Sequence, residues 1–165
     1  MNLPKRLWDV QRSDIPEDIL PKLKIFVDRW KNADGYMEKS LLLVNKEDMA
    51  MAETAMAILL KFFQRHRYTS FCISVLNLRT WVESTSEIDD RSAIEHLSSV
   101  RCLGLYDVGA DTKFCNHYLD QILRKRYDNL KPTIFASHLD MDELEKVMSN
   151  MMSYIVRKGI CIKFD

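Results

Sequence analysis

A chain of 165 residues, 47% apolar and 29% charged, can bury a core without disulfides or metals and has the balance of an ordinary globular protein. Its 24 basic and 24 acidic residues cancel, which excludes a global field drawing it onto nucleic acid or membrane; any DNA contact has to come from a local patch. The four cysteines, Cys72, Cys102, Cys115 and Cys161, are dispersed without a CxxC pair, which argues against a disulfide framework or a zinc site.

Residues 1–39 read as an N-terminal segment. The stretch MNLPKRLWDVQRSDIP lacks the apolar core of a signal peptide, and no run approaches membrane-spanning length, so the expected location is the cytoplasm with no membrane partner. Pro4, Pro16 and Pro21 interrupt its first half. Ile19, Leu20, Leu23, Phe26, Val27 and Trp30 then recur at helical spacing, and Asn32-Ala33-Asp34-Gly35 supplies a stop signal.

From Ser40 to the end, strand and helix patterns alternate without a linker, repeat or composition break, so residues 40–165 read as one domain. Ser40–Val44 is a short apolar strand, and the Ala/Met/Leu-rich Met49–His66 a buried helix. Thr69–Val75 is a β-rich run; Asn77 caps a short helix through Val82, and Glu83–Asp90 reads as a polar loop. Ser92–Leu97 is helical, Arg101–Val108 contains a strand, and Thr112–Tyr127 is a helix with Phe114, Tyr118 and Ile122 on one face. Pro132–Ser137 is a strand, and Asp140–Val156 one helix opened by an Asp140–Glu143 capping pattern. Ile160–Phe164 is the last strand; Cys72, Cys102 and Cys161 lie in apolar, strand-like surroundings that suit free thiols. Strands separated by helices imply a mainly parallel sheet covered on both faces, a three-layer α/β domain.

Residues 40–58 have the rhythm of a nucleotide-binding strand, loop and helix. A phosphate loop needs glycines for close backbone approach, a lysine for the phosphates and a hydroxyl for Mg²⁺. The turn here reads Asp48-Met49-Ala50-Met51-Ala52 and has none of these; Lys46, in the loop, is the nearest cation. Leu103–Gly109 is an apolar strand ending in one acid, Asp107, preceded by Tyr106, where a carboxylate could meet a metal or serve as a cap. The strand Pro132–Ser137 ends at the same sheet edge, with His138 beside Ser137 as a candidate ligand sensor or a plain link to the Asp140 cap.

His66, His96 and His117 have no metal-ligand spacing, and no nucleophile elbow is present, so the sequence offers no catalytic residue and no metal site. Basic clusters occur at Lys61/Arg65/Arg67, beside Tyr68, and at Arg124/Lys125/Arg126, beside Tyr127. Arginine next to an aromatic ring suits single-stranded nucleic acid, although helix ends also collect cations for the macrodipole.

Taken together, these segments resemble the DnaC/IstB family of AAA+ ATPases, the bacterial helicase loaders and their transposon-encoded relatives. The resemblance runs from about Trp30 to the C-terminus, and IPEDILPKLKIFVDRW is similar to the segment that precedes Walker A in these loaders. SLLLVNKEDMAMAETAMAILL takes the place of the Walker A unit, CLGLYDVGADTKF that of Walker B, and RYDNLKPTIFASHLDMDELEK that of the strand ending in a sensor Asn before an acidic-capped helix. The resemblance implies a P-loop NTPase (AAA+-like) fold with a degenerate nucleotide site. Met51 stands at the Walker lysine, Ala52 at the Mg²⁺ hydroxyl, Asp48 and Ala50 at loop glycines, Tyr106 at the first Walker B acid, Asp107 at the catalytic Glu and His138 near the sensor. Met151 and Ile155 align with the arginine finger and second sensor arginine.

What the resemblance implies for function is a pseudo-ATPase with no cofactor, a DNA replication protein that binds a hexameric replicative helicase and assists its loading without ATP hydrolysis. A shortened, nucleotide-independent relative of this kind is similar to phage replication B-type loaders, which would act in the host cytoplasm. The expected helicase contact is Leu3, Leu7 and Trp8 in the N-terminal segment, with self-association on the helicase. Single-stranded DNA would meet Arg124, Lys125, Arg126 and Arg67, together with the loops Thr85–Ile88 and Asp111–Phe114. The rival readings are an inhibitor or decoy of the helicase or its loader, and an atypical ATPase.

Overall fold

The computed structural model describes residues 3–33, 39–85, 90–110 and 116–164. After two short 3₁₀ turns, Lys5–Leu7 and Arg12–Asp14, the elements run α1 (Ile19–Asn32), β1 (Leu41–Val44), α2 (Met49–Arg65), β2 (Ser70–Ser74), α3 (Val75–Thr85), α4 (Asp90–Ser99), β3 (Cys102–Tyr106), α5 (Asn116–Asp128), β4 (Thr133–Ser137), α6 (Met141–Val147), α7 (Asn150–Lys158) and β5 (Ile160–Lys163). The strands form one five-stranded sheet in the order β2-β3-β4-β1-β5, and every pairing is parallel.

Strand alternation explains the three layers. Leu41 and Leu43 of β1 face a core with Ile134, Ala136, α1, α2 and the N-terminal segment. Leu42 and Val44 face the opposite core, built with Phe135, Leu103, Leu105 and α3–α7. Because both faces are covered, β1 has to be apolar at every position rather than at every second one. Helix α2 crosses close over β3: a Cβ on Gly104 would stand 2.8 Å from Leu60 Cδ1 and 2.9 Å from Met56 Sδ, so a larger residue here would have to push those two side-chain ends aside.

The N-terminal segment belongs to the first core. Leu3, Leu7, Ile15, Ile19, Leu23, Phe26 and Trp30 are all buried against α2 and the sheet. The expectation that Leu3 and Leu7 are exposed anchors is therefore corrected: their apolar side chains are removed from water in the monomer. Trp8 is the exception, 59% exposed, with its indole N–H donating to the Leu3 carbonyl.

Three further expectations change. Glu83–Thr85 continue α3 rather than starting a loop, and residues 86–89 lie outside the described set. Ser74, not Asn77, caps that helix, accepting from the Leu76 N–H at 3.1 Å. The single helix expected over 140–156 is two: α6 ends at Val147, Met148 turns extended, and Ser149 caps α7 by accepting from the Met152 N–H. A serine that captures a free amide is a start signal of its own, and it overrides the continuous apolar stripe. Cys72 and Cys102 are buried, with both thiol pKa values pushed up to about 12 by burial, whereas Cys161 is exposed on β5.

Candidate functional site

Because all five strands run the same way, their C-terminal ends share one edge, and that edge holds every residue of the expected nucleotide site. Asn45–Asp48 follow β1, Tyr106 and Asp107 close β3, and Ser137 and His138 close β4. The ends are stitched together by hydrogen bonds. The Asn45 N–H donates to the Ser137 carbonyl at 3.1 Å, the Val108 N–H to the Ala136 carbonyl at 3.2 Å, and the Ser137 hydroxyl to the Val108 carbonyl at 2.5 Å. Asp107, in the left-handed region at φ 58°, receives a short hydrogen bond from the Ser74 hydroxyl. Its carboxylate is therefore used as a bridge between β2 and β3. His138 is exposed.

The start of α2 is where an anion would sit, since the first amides of a helix have no partner inside it. Here the chain supplies its own acceptors. Asn45 Oδ1 accepts from the Glu47 and Asp48 N–H groups at 3.0 and 2.9 Å. Asp48 Oδ1 accepts from Ala50 N–H at 2.9 Å, and the Asp48 carbonyl from Met51 N–H at 3.1 Å. Met49 and Met51 are half-buried against the first core and Ala52 is wholly buried. Lys46 is turned away to α6, with its ammonium 2.7 Å from Asp140 and 3.0 Å from Glu143. Hydrogen bonding to those two carboxylates raises the Lys46 pKa; the Lys46 contact, with the Glu143 amide, holds Asp140 down at about 2.

One pair in this region has no counterpart in the sequence reading. Glu53, 3% exposed on α2, is met by Arg6 of the first 3₁₀ turn, with Nη2 at 2.5 Å and Nη1 at 2.7 Å from the same oxygen. Burial raises the Glu53 pKa and the neighbouring charges of Asp107 and Asp48 add to the rise, while Arg6 opposes it. Arg6 also stands 5.8 Å from the ring centroid of Tyr106, whose phenol is pushed up by burial. Glu53 was visible in sequence as the one acidic residue inside an Ala/Met/Leu helix; Arg6, 47 residues away, carried no such mark.

The basic triplet of α5 separates into three roles. Arg124 is exposed. Lys125 forms an ion pair with Glu95 of α4. Arg126 is 1% exposed, which overturns its placement on a DNA surface. Its guanidinium donates to the carbonyls of Leu97, Val100 and Pro132 at 2.9, 2.7 and 2.6 Å and to the Thr133 hydroxyl at 3.0 Å. The Lys131 ammonium donates to the Ser99 carbonyl at 2.9 Å. Together they satisfy the orphan carbonyls at the end of α4, which also carries the negative end of the helix dipole. The spacing Leu119, Ile122, Leu123, Arg126 puts this arginine on the buried stripe, a signal that periodicity alone carried. Arg67 is exposed and ends α2 in the left-handed region at φ 66°. The loops Thr85–Ile88 and Asp111–Phe114 fall outside the described residues, apart from the backbone of Thr85, and so does Cys115.

Met151 and Ile155 pack in the second core. Among the described residues no group of three or more His, Cys, Asp or Glu is placed to hold a metal ion, and no helix is long and apolar enough to cross a membrane.

No protein-family model matches this sequence, and no curated protein matches it significantly. Its fold is that of known structures. It is similar to DnaI, at 21% identity and TM-score 0.80 over 100% of this chain and 96% of that one. It is similar to the DnaC helicase loader, at 17% identity and TM-score 0.78 over 98% and 100%. It also resembles domain III of the Thermotoga maritima replication initiation protein DnaA, at 11% identity and TM-score 0.72 over 100% of this chain and 69% of that one. The chain thus shares the overall fold of these structures.

Proposed function

We propose that this chain is a DNA replication protein of the helicase-loader kind that binds the replicative helicase and assists its delivery to DNA without nucleotide chemistry. The observation that carries the second half is the start of α2. The amides that would grip a phosphate are satisfied by Asn45 and Asp48 of the same chain, and Asp48 adds a negative charge where a polyanion would have to sit. Met51 and Ala52 bring neither the ammonium nor the hydroxyl, and Lys46 is held by Asp140 and Glu143. These residues do not fit a nucleoside triphosphate with its magnesium.

The loader half rests on the shared fold with DnaI and the DnaC helicase loader, both covered almost end to end. With Leu3 and Leu7 buried, Trp8 remains the apolar side chain of the N-terminal segment that a partner can reach, and Ile25 on α1, 52% exposed, is another. A decoy that occupies the helicase or its loader begins with the same contact.

Co-purification of the tagged chain with a hexameric replicative helicase, followed by native mass measurement, tests the contact and gives the stoichiometry. A loading assay on DNA coated with single-strand-binding protein separates the two roles: a loader raises unwinding and a decoy lowers it. ATP hydrolysis by the purified chain, abolished by substituting Met51, would overturn the reading of the site.

A further inference from the structure

Residues 3–15 are held to the domain by side chains. The described backbone–backbone bonds of this segment stay inside it: the Leu7 and Trp8 N–H groups donate to the Pro4 and Lys5 carbonyls at 2.9 and 3.1 Å, and those of Asp14 and Ile15 to Gln11 and Arg12 at 3.0 and 3.3 Å. Three apolar side chains, Leu3, Leu7 and Ile15, enter the first core. Two polar ties reach α2: Arg6 to Glu53, and the Lys61 ammonium to the Trp8 and Val10 carbonyls at 2.5 and 3.1 Å. A groove of about 1090 Å³, lined by Val10, Ile15, Leu20, Val27, Ile58 and Phe62 among others, lies between the segment, α1 and α2, so the second half of the segment is not close-packed along its length. Ile15 is extended ahead of Pro16, and α1 beyond it has a buried stripe of its own in Ile19, Leu23, Phe26 and Trp30.

We propose that residues 3–15 form a strap that lifts off the domain as one unit while the rest stays folded, with Arg6 and Glu53 as its latch. Burying three apolar side chains gains about as much as ordering a segment of this length loses in conformational entropy, so the polar ties decide whether the strap is closed. Its own local structure adds little, since each of its two 3₁₀ turns is three residues long. The latch is lopsided. Glu53 is 3% exposed, and burial disfavours its ionised form, with Asp107 and Asp48 adding to that effect against Arg6. Arg6 keeps half of its side chain in water. Lifting the strap returns the Glu53 carboxylate to solvent, which offsets much of the lost attraction and makes opening cheap. It also carries the Arg6 guanidinium away from the Tyr106 ring, 5.8 Å distant, and from the strand-end edge that holds Asp107 and Asp48. A ligand or partner at that edge that favours one state of the strap therefore shifts it, and the state of the strap shifts affinity at the edge by the same factor.

The strap concerns the purified chain alone and does not depend on the helicase contact. The test is alkylation by iodoacetamide in native buffer, read by peptide mass spectrometry, on the Leu7→Cys and Ile15→Cys chains. Each rate is divided by that of the same site in the unfolded chain. Cys102, wholly buried at the start of β3, reports global unfolding. The two strap positions should label about tenfold faster than Cys102 or more, at rates that match each other, and with a shallower dependence on added urea, because lifting the strap exposes less surface than unfolding does. Arg6→Met should speed labelling at both strap positions about tenfold, and Glu53→Gln added to it should reverse most of that gain. Lys24→Met, which removes the exposed pair with Asp28, should leave the rates as they are. If Leu7→Cys does not fold, Leu3→Cys takes its place. The proposal is overturned if the strap positions share the rate and urea dependence of Cys102, or if they differ from each other as in fraying from one end. It is also overturned if Arg6→Met leaves the labelling rates unchanged.

Discussion

The guanidinium of Arg6 lies 2.5 Å from the carboxylate of Glu53, and this pair joins the N-terminal turn to the helix that follows the Asn45–Asp48 loop. Glu53 is the buried partner, its side chain 4% exposed, while that of Arg6 is 53% exposed. Solvent therefore screens the arginine and not the acid, and the pair matters mainly because its removal would strand a buried charge.

Arg6→Met should destabilise the chain at neutral pH by about 1–3 kcal/mol in urea denaturation. The folded-state pKa of Glu53 already lies above its ordinary value, so the folded chain binds the proton first as pH falls. The deficit of Arg6→Met therefore shrinks on acidification into the carboxylate range. Adding Glu53→Gln should recover much of it, and a double-mutant cycle without coupling would remove the pair from the account.

Asp140 titrates in the opposite sense. Its pKa is held at about 2 against an ordinary 3.8, so its contribution is fully present above about pH 4 and is lost as pH falls toward 2. Lys46→Met removes the first cause of that depression. The variant should melt at a lower temperature than the parent at neutral pH, and the two melting temperatures should converge by pH 2.

Arg126→Met should cost about 3–5 kcal/mol, because it leaves the carbonyls of Leu97, Val100 and Pro132 buried without donors. Arg126→Lys should recover little, since one ammonium cannot span the four acceptors that the planar fork reaches. Equilibrium urea denaturation measures both, and a stability equal to the parent's would return Arg126 to the surface.

Millimolar ATP with magnesium should leave the melting temperature unchanged by differential scanning fluorimetry. Met51→Lys alone should not alter that outcome, because Asn45 still satisfies the Glu47 and Asp48 amides of the loop and Asp48 those of Ala50 and Met51 in α2. A rise in melting temperature for the parent chain would show a triphosphate displacing those side chains.

Much of the fold was legible from local pattern. The fully apolar Leu41–Val44 run announced a strand buried on both faces, and Asp140 with Glu143 announced a capping box that the structure forms with 2.9 and 3.0 Å hydrogen bonds. The break at Ser149 was missed because one apolar stripe runs through both α6 and α7, and a stripe reports the buried face rather than continuity of the backbone. At the candidate site, the missing glycines, lysine and hydroxyl were legible as residue types; what replaced their bonds was not.

The sequence by itself determined the alternation of strands and helices and the chemistry absent from the turn at 48–52, because both are written in neighbouring residues. Only the tertiary structure decided that Leu3 and Leu7 are core, that Arg126 of three adjacent cations points inward, that Lys46 belongs to Asp140, and that Arg6 reaches Glu53. Each is a pairing between distant segments, and a charge or an apolar side chain acquires its role only once folding has fixed what lies within a few ångströms of it.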